Sequence, residues 1–306
     1  MILNKNQYNE LLIDYKKYEI INSDDSITKL ITKNNNGNNN ALIWIHGFND
    51  YYYNLFIGEK FLKEGYDIYA IQLRRYSSTN INEKFYCDNL NEYIQDINNI
   101  FPKIIDKNYK KIVLYGHSMG GLISSIYCKK GLYKDKITHL ILNSPFFDFK
   151  LSLIEKLFIN YIVYYLSFIF PKFLLRPYDT TKTNYLTQNI QKRFYINNKY
   201  KLNFLPPVYA SWIKTIIDYH NIIKYNNLNL KIPILVLFCD KTNKFINSNQ
   251  TGDDTLDVND IDKYSENLGN NIKKYQFTNS IHDIFSSSIN VINKAFNITI
   301  YWLKTI

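Results

Sequence analysis

The chain has 306 residues, 46% hydrophobic and 21% charged, enough apolar mass for one large core; a disordered or fibrous class is excluded. Its formal net charge of +10 is spread in short basic pairs with no run of five or more, and no nucleic-acid-binding motif accompanies it. A solvated basic surface is therefore expected, with attraction to anionic lipid or acidic substrates as its use and no nucleic-acid partner. Cys87, Cys128 and Cys239 are odd in number, far apart and without metal-binding spacing. They point to a reducing compartment and no zinc site. Met1 to Lys17 interleaves charges with short apolar pairs, unlike the apolar core of a signal peptide, so a cytoplasmic location is expected.

Short β-rich stretches alternate with helical ones, the pattern of a mostly parallel sheet covered on both faces. Tyr15 to Ile21 and Ile27 to Thr32 read as an opening antiparallel pair, followed by a polar loop around Gly37. Ala41 to Ile45 is a buried strand, Tyr51 to Glu64 a helix stopped by Gly65, and Asp67 to Leu73 the next strand. Leu90 to Ile105 spaces its apolar residues helically, Ile112 to Tyr115 is a strand, and His139 to Leu142 another. Between about 148 and 215 the alternation lapses, which marks a helical cap inserted into a single domain spanning 1–306. Within it, Leu157 to Phe170 is apolar but for Asn160 and Ser167, and too short to span a membrane. It reads either as a helix buried in the cap or as a lid facing lipid. The pattern resumes with strands at Ile232 to Phe238 and Ile272 to Phe277, and closes with a helix from Ile284 to Leu303.

Three of the ten glycines fall in Gly116-His117-Ser118-Met119-Gly120-Gly121, between a strand and a helical segment. A serine on so sharp a turn needs small neighbours two residues to either side, and Gly116 and Gly120 supply them. The turn lifts Ser118 clear of the sheet as a nucleophile and aims the Met119 amide at a developing oxyanion. His46-Gly47-Phe48 ends an earlier core strand, where the Phe48 amide is the second candidate donor.

A serine hydroxyl needs an imidazole to take its proton and an acid to fix that imidazole's tautomer. Of the five histidines, His282 lies in a polar turn after the last strand, where the chain order serine, acid, histidine puts the base. The acid belongs after the strand ending near Phe238. Asp253 is preferred there because it precedes Leu256 and Asp257 in a loop returning toward the site; Asp240 and Asp254 stay open.

Taken together, the chain resembles the α/β-hydrolase superfamily, and within it the monoacylglycerol lipase, lysophospholipase and serine aminopeptidase group. The resemblance lies in Trp44 to Asp50, Ile71 to Tyr76, the serine hexapeptide, Asp253 to Val258 and His282-Asp283. It implies an α/β fold with an eight-stranded, mostly parallel sheet flanked by helices, a cap after the sixth strand, acyl-enzyme chemistry, and no metal or organic cofactor. It also implies Ser118, His282 and Asp253 as catalytic residues and Phe48 and Met119 as the oxyanion hole. Two departures stand out: Tyr76-Ser77-Ser78 replaces a glycine-serine pair, and no Gly-x-x-Asp follows the late strand. The expected activity is hydrolysis of a small-molecule or lipid ester, of monoacylglycerol or lysophospholipid type, with peripheral membrane contact through the cap. The alternatives are an amide-cleaving aminopeptidase, for which Glu155 and Asp179 are the acidic candidates in the cap, and a scaffold binding lipid or a partner without turnover.

Overall fold

The computed structural model describes residues 4–76, 84–177, 179–183, 204–243 and 251–306. Ser77, Ser78, residues 184–203 of the expected cap and 244–250 of the loop before Asp253 lie outside them.

Eight strands form one sheet: β1 (Lys16–Ile21), β2 (Ile27–Lys33), β3 (Asn40–Ile45), β4 (Tyr66–Gln72), β5 (Lys111–His117), β6 (His139–Asn143), β7 (Ile234–Cys239) and β8 (Ile272–Phe277). Their spatial order is β1-β2-β4-β3-β5-β6-β7-β8. Only the β1–β2 and β2–β4 pairs are antiparallel. The other five pairs are parallel, as the resemblance implies. The central strands are buried on both faces, which is why Ala41 to Ile45 and Ile234 to Cys239 are unbroken apolar runs. The edge strands β1 and β8 instead carry Lys16, Lys17, Lys273 and Lys274, charges that discourage another chain from adding to the sheet.

Of the helices outside the β6–β7 segment, three differ in extent from the sequence expectation, each for a local reason. The first expected to begin at Tyr51 runs Leu55–Lys63. Tyr51, Tyr52 and Tyr53 are buried in the preceding turns, where the Tyr51 hydroxyl donates to the Tyr76 carbonyl at 2.6 Å and Tyr53 to Asp283 at 2.6 Å. Leu90 to Ile105 is two helices, Asn91–Ile100 and Pro102–Ile105, divided where Pro102 offers no amide hydrogen. The closing helix spans Ile289–Thr305, because the Asp283 side chain caps a separate short turn, Ile284–Ser286.

Among the described residues between β6 and β7 lie a helix from Leu153 to Ile169, two short strand pairs and a helix Ala210–Tyr225. The first helix opens at a capping box of Ser152 and Glu155, four residues before the apolar run suggests, and contains a π-helical turn at Phe158–Val163. It is not a buried helix. Leu153, Ile154, Leu157, Phe158, Tyr161, Ile162, Tyr165, Phe168 and Ile169 are all exposed, several by more than 60%. Its inner side holds to the core through Val163, Ser167 and Tyr164, whose hydroxyl donates to Asp218 at 2.8 Å.

Candidate active site

Ser118 sits between the last residue of β5 and the helix Met119–Lys130 with φ 54° and ψ −119°, a strained conformation for a residue with a side chain. The surroundings hold it there. Its amide donates to the Asn143 carbonyl at 3.0 Å, and its carbonyl accepts from the Gly121 and Phe146 amides at 2.9 and 3.0 Å. The glycines at 116 and 120 are required by contact: a Cβ on Gly120 would lie 2.4 Å from the Ile45 carbonyl oxygen, and one on Gly116 would lie 2.4 Å from that of Gly120.

His282 lies in the turn after β8, buried, with Nε2 3.0 Å from Ser118 Oγ and Nδ1 2.8 Å from Asp253 Oδ2. A carboxylate can only accept, so the Nδ1 proton goes to Asp253 and Nε2 offers its lone pair to the serine hydroxyl. Burial pulls the His282 pKa down, but the charge and hydrogen bond of Asp253, with Asp254 and Asp283 behind, outweigh it and leave it above the ordinary value.

Of the three candidate acids, the structure brings only Asp253 to His282. Asp253 is fully buried, and its other oxygen accepts from the Thr255 and Leu256 amides at 2.9 and 2.7 Å. Its backbone is stitched to the end of β7: its amide donates to Lys241 and its carbonyl accepts from Asn243. Asp240, directly after β7, is exposed. Asp254 accepts from the Thr255 hydroxyl at 3.0 Å. Leu256 is buried beneath the loop and Asp257 caps the helix Val258–Ser265, so the stretch Asp253 to Val258 supplies a carboxylate for His282, an anchor and a cap in turn.

Met119 follows Ser118 as the first residue of its helix, and Phe48 follows Gly47 in the turn after β3. Neither amide donates to a backbone carbonyl among the described residues. Gly47 allows this turn to approach Ser118, since a Cβ there would stand 3.3 Å from Ser118 Cβ and 2.9 Å from an Asp50 carboxylate oxygen. Phe48 packs on Trp212 at a ring separation of 4.4 Å and on Phe85 at 6.0 Å, forming an aromatic wall beside the Gly47 turn.

Three of the other histidines are held in contacts away from Ser118. His46 Nδ1 donates to the Gly47 carbonyl at 2.7 Å while Nε2 accepts from the Leu73 amide at 3.1 Å. His220 donates from Nε2 to the Phe146 carbonyl at 3.0 Å; burial, aided by Lys224, pushes its pKa down to about 3. His139 packs edge-on against Trp302, and burial with Lys111 nearby lowers it to about 4. His117 contacts Asp50 at 3.2 Å, its ring 5.0 Å from that of His282.

Sequence reasoning did not single out Asn143, Tyr53 or Asp283 as part of this centre. Asp283 is adjacent to His282, a signal that was available; Asn143 and Tyr53 carry none. Glu155 is engaged with Ser152 at the start of an exposed helix, and nothing is described of the Asp179 side chain. Among the described residues no group of three histidine, cysteine, aspartate or glutamate side chains could hold a metal ion. No described helix is long and apolar enough to cross a membrane.

Comparison with known proteins agrees with this architecture. Residues 37–284 match the family model described as serine aminopeptidase, S33. A soluble variant of monoglyceride lipase from Saccharomyces cerevisiae, in complex with a substrate analog, superposes with a TM-score of 0.70 at 16% identity, covering 95% of this chain and 96% of that one. The monoacylglycerol lipase of Paleococcus ferrophilus gives 0.62 at 17% identity over 94% and 98% of the two chains. Est1E from Butyrivibrio proteoclasticus, bound to ferulic acid, gives 0.59 at 13% over 94% and 98%. No curated protein matches significantly by sequence. The chain belongs to the serine aminopeptidase (S33) family of α/β-hydrolases.

Proposed function

We propose that this hydrolase cleaves carboxylic esters through an acyl-enzyme, with Ser118 as nucleophile, His282 as general base and acid, and Asp253 as the orienting acid. The observation that carries the reading is the unbroken hydrogen-bond chain from Ser118 Oγ through His282 to Asp253. In the reaction, His282 Nε2 takes the hydroxyl proton as Oγ attacks the acyl carbon, and Asp253 stabilises the imidazolium. The Phe48 and Met119 amides receive the oxyanion. Collapse expels the alcohol with the proton from His282, and water then releases the acid by the same steps in reverse roles.

A lipid ester of monoacylglycerol or lysophospholipid type is the substrate favoured here. The aromatic wall at Phe48 and Trp212 suits an apolar acyl group, and two of the structures of similar fold are a monoglyceride lipase and a monoacylglycerol lipase. The segment from about 148 to 215 is the cap. Its exposed apolar helix gives peripheral membrane contact, the basic surface aiding approach to anionic lipid. Three buried free cysteines suit a reducing compartment, and with it the cytoplasm. An aminopeptidase activity draws no support from Glu155, which caps its own helix.

The test is turnover of a monoacylglycerol, a lysophospholipid and an aminoacyl anilide by wild type and Ser118→Ala. Ester hydrolysis that vanishes with Ser118 supports the reading; retained turnover in the variant, or cleavage of the anilide alone, overturns it.

A further inference from the structure

Asp283 is 2% exposed, yet it is a carboxylate that does not touch Ser118. It gathers donors from three separate parts of the fold. Tyr53 Oη (2.6 Å) and Asn54 Nδ2 (3.3 Å) come from the turn before the helix Leu55–Lys63. Asn143 Nδ2 (2.7 Å) comes from the end of β6, and the Phe285 amide (3.1 Å) and Ser286 hydroxyl (2.5 Å) from its own turn. Capping a three-residue turn needs one acceptor, so this saturation exceeds the local need.

Asn143 shows where the surplus goes. Its side-chain oxygen accepts from the Ile284 amide at 3.2 Å while its Nδ2 serves Asp283, so both sides of one amide grip the histidine turn. Its backbone carbonyl at the same time accepts from the Ser118 amide at 3.0 Å. One residue therefore ties the strained serine turn to the loop that carries His282. Tyr115 Oη lies 2.7 Å from the same Nδ2 and fixes the plane of the Asn143 amide from β5.

We propose that Asn143 and Asp283 are positioning residues that act as one brace, setting the Ser118 to His282 distance and adding a buried negative charge beside the imidazole. This rests on the serine-hydrolase reading above. Among the described residues, the charged and titratable groups facing His282 are Asp253 and Asp254 from the loop after β7, Asp283 from its own turn, and His117 from the end of β5, which itself contacts Asp50. Removing Asp283's charge takes away one of the three carboxylates that favour protonated His282. The acid limb of the serine's reactivity then moves to lower pH.

The test is the rate of labelling by a fluorophosphonate probe, measured across pH for wild type, Asp283→Asn, Asn143→Ala and the double variant, with circular dichroism confirming the fold. Each single variant is expected to lose about tenfold in plateau rate through misplacement of the base. The double variant should lose no more than the worse single. The acid limb should fall in Asp283→Asn and stay put in Asn143→Ala, a difference that a purely structural role would not produce. Wild-type rates, multiplying losses, or a limb unmoved in folded Asp283→Asn would overturn the brace. Should Asp283→Asn not fold, Tyr53→Phe removes one donor; labelling slowed by about threefold supports the brace, and an unchanged rate overturns it. Failure of wild type to label would refute the serine-hydrolase reading instead.

Discussion

Replacing Asp253 by asparagine gives a sharp quantitative expectation, because the site fixes how the new amide must sit. Asp253 accepts three hydrogen bonds: two backbone amides, Thr255 and Leu256, on one oxygen and His282 Nδ1 on the other. The asparagine oxygen keeps the two backbone donors, which together outweigh one imidazole bond. Its NH2 group then faces His282, which has to turn its lone pair toward it at Nδ1. The proton moves to Nε2, now pointing at Ser118 Oγ, and the base has nothing with which to accept the hydroxyl proton. The loss that accompanies the wrong tautomer in such triads is about 10⁴ in kcat, roughly 5.5 kcal/mol of barrier. The same change reverses the balance at His282. Burial lowers its pKa and Asp253 is the chief counterweight, so the acid limb of kcat/KM, above the ordinary histidine value in wild type, drops toward lower pH in the variant. Stopped assays with a short-chain p-nitrophenyl ester over a range of pH read both effects. A kcat within tenfold of wild type, or an equal loss in Asp240→Asn, would refute the reasoning.

Other expectations follow from particular contacts. Ser118→Gly relieves the positive φ and should stabilise the fold by about 1 kcal/mol while abolishing turnover, as read by urea denaturation. Gly120→Ala drives a methyl group to 2.4 Å from the Ile45 carbonyl oxygen and should cost more than about 2 kcal/mol in the same measurement or prevent folding. Leu157→Ser with Phe158→Ser and Tyr161→Ser should strip binding to phosphatidylglycerol vesicles in flotation while leaving hydrolysis of a soluble ester unchanged, since these side chains face solvent.

The sheet was readable because its central strands are buried on both faces and so appear as unbroken apolar runs; each was located to within two residues. Helix starts were harder. Apolar periodicity cannot distinguish a tyrosine on a helix face from Tyr51 or Tyr53, whose hydroxyls bind partners in a loop. The serine and histidine candidates were legible because the turn that exposes one and the loop that carries the other depend on local sequence and chain order. The acid was legible only as a preference for Asp253 with Asp240 and Asp254 left open, since Asp253 and Asp254 differ in the residue each faces, which the loop's pairing with Lys241 and Asn243 decides. The helix after Ser152 looked apolar enough to be buried, and hydrophobicity alone gives no sign of what covers it. Nor could the sequence show Asn143 linking Ser118 to Asp283, a contact that spans 140 positions.

The proposed chemistry requires that His282 activate Ser118. The most direct measurement is fluorophosphonate labelling of the purified protein, with the modified peptide mapped by mass spectrometry, in wild type, Ser118→Ala and His282→Ala. A single phosphonylated peptide containing Ser118, absent from both variants, is the predicted result; folded wild type that takes up no probe, or a label mapped to another residue, would contradict it.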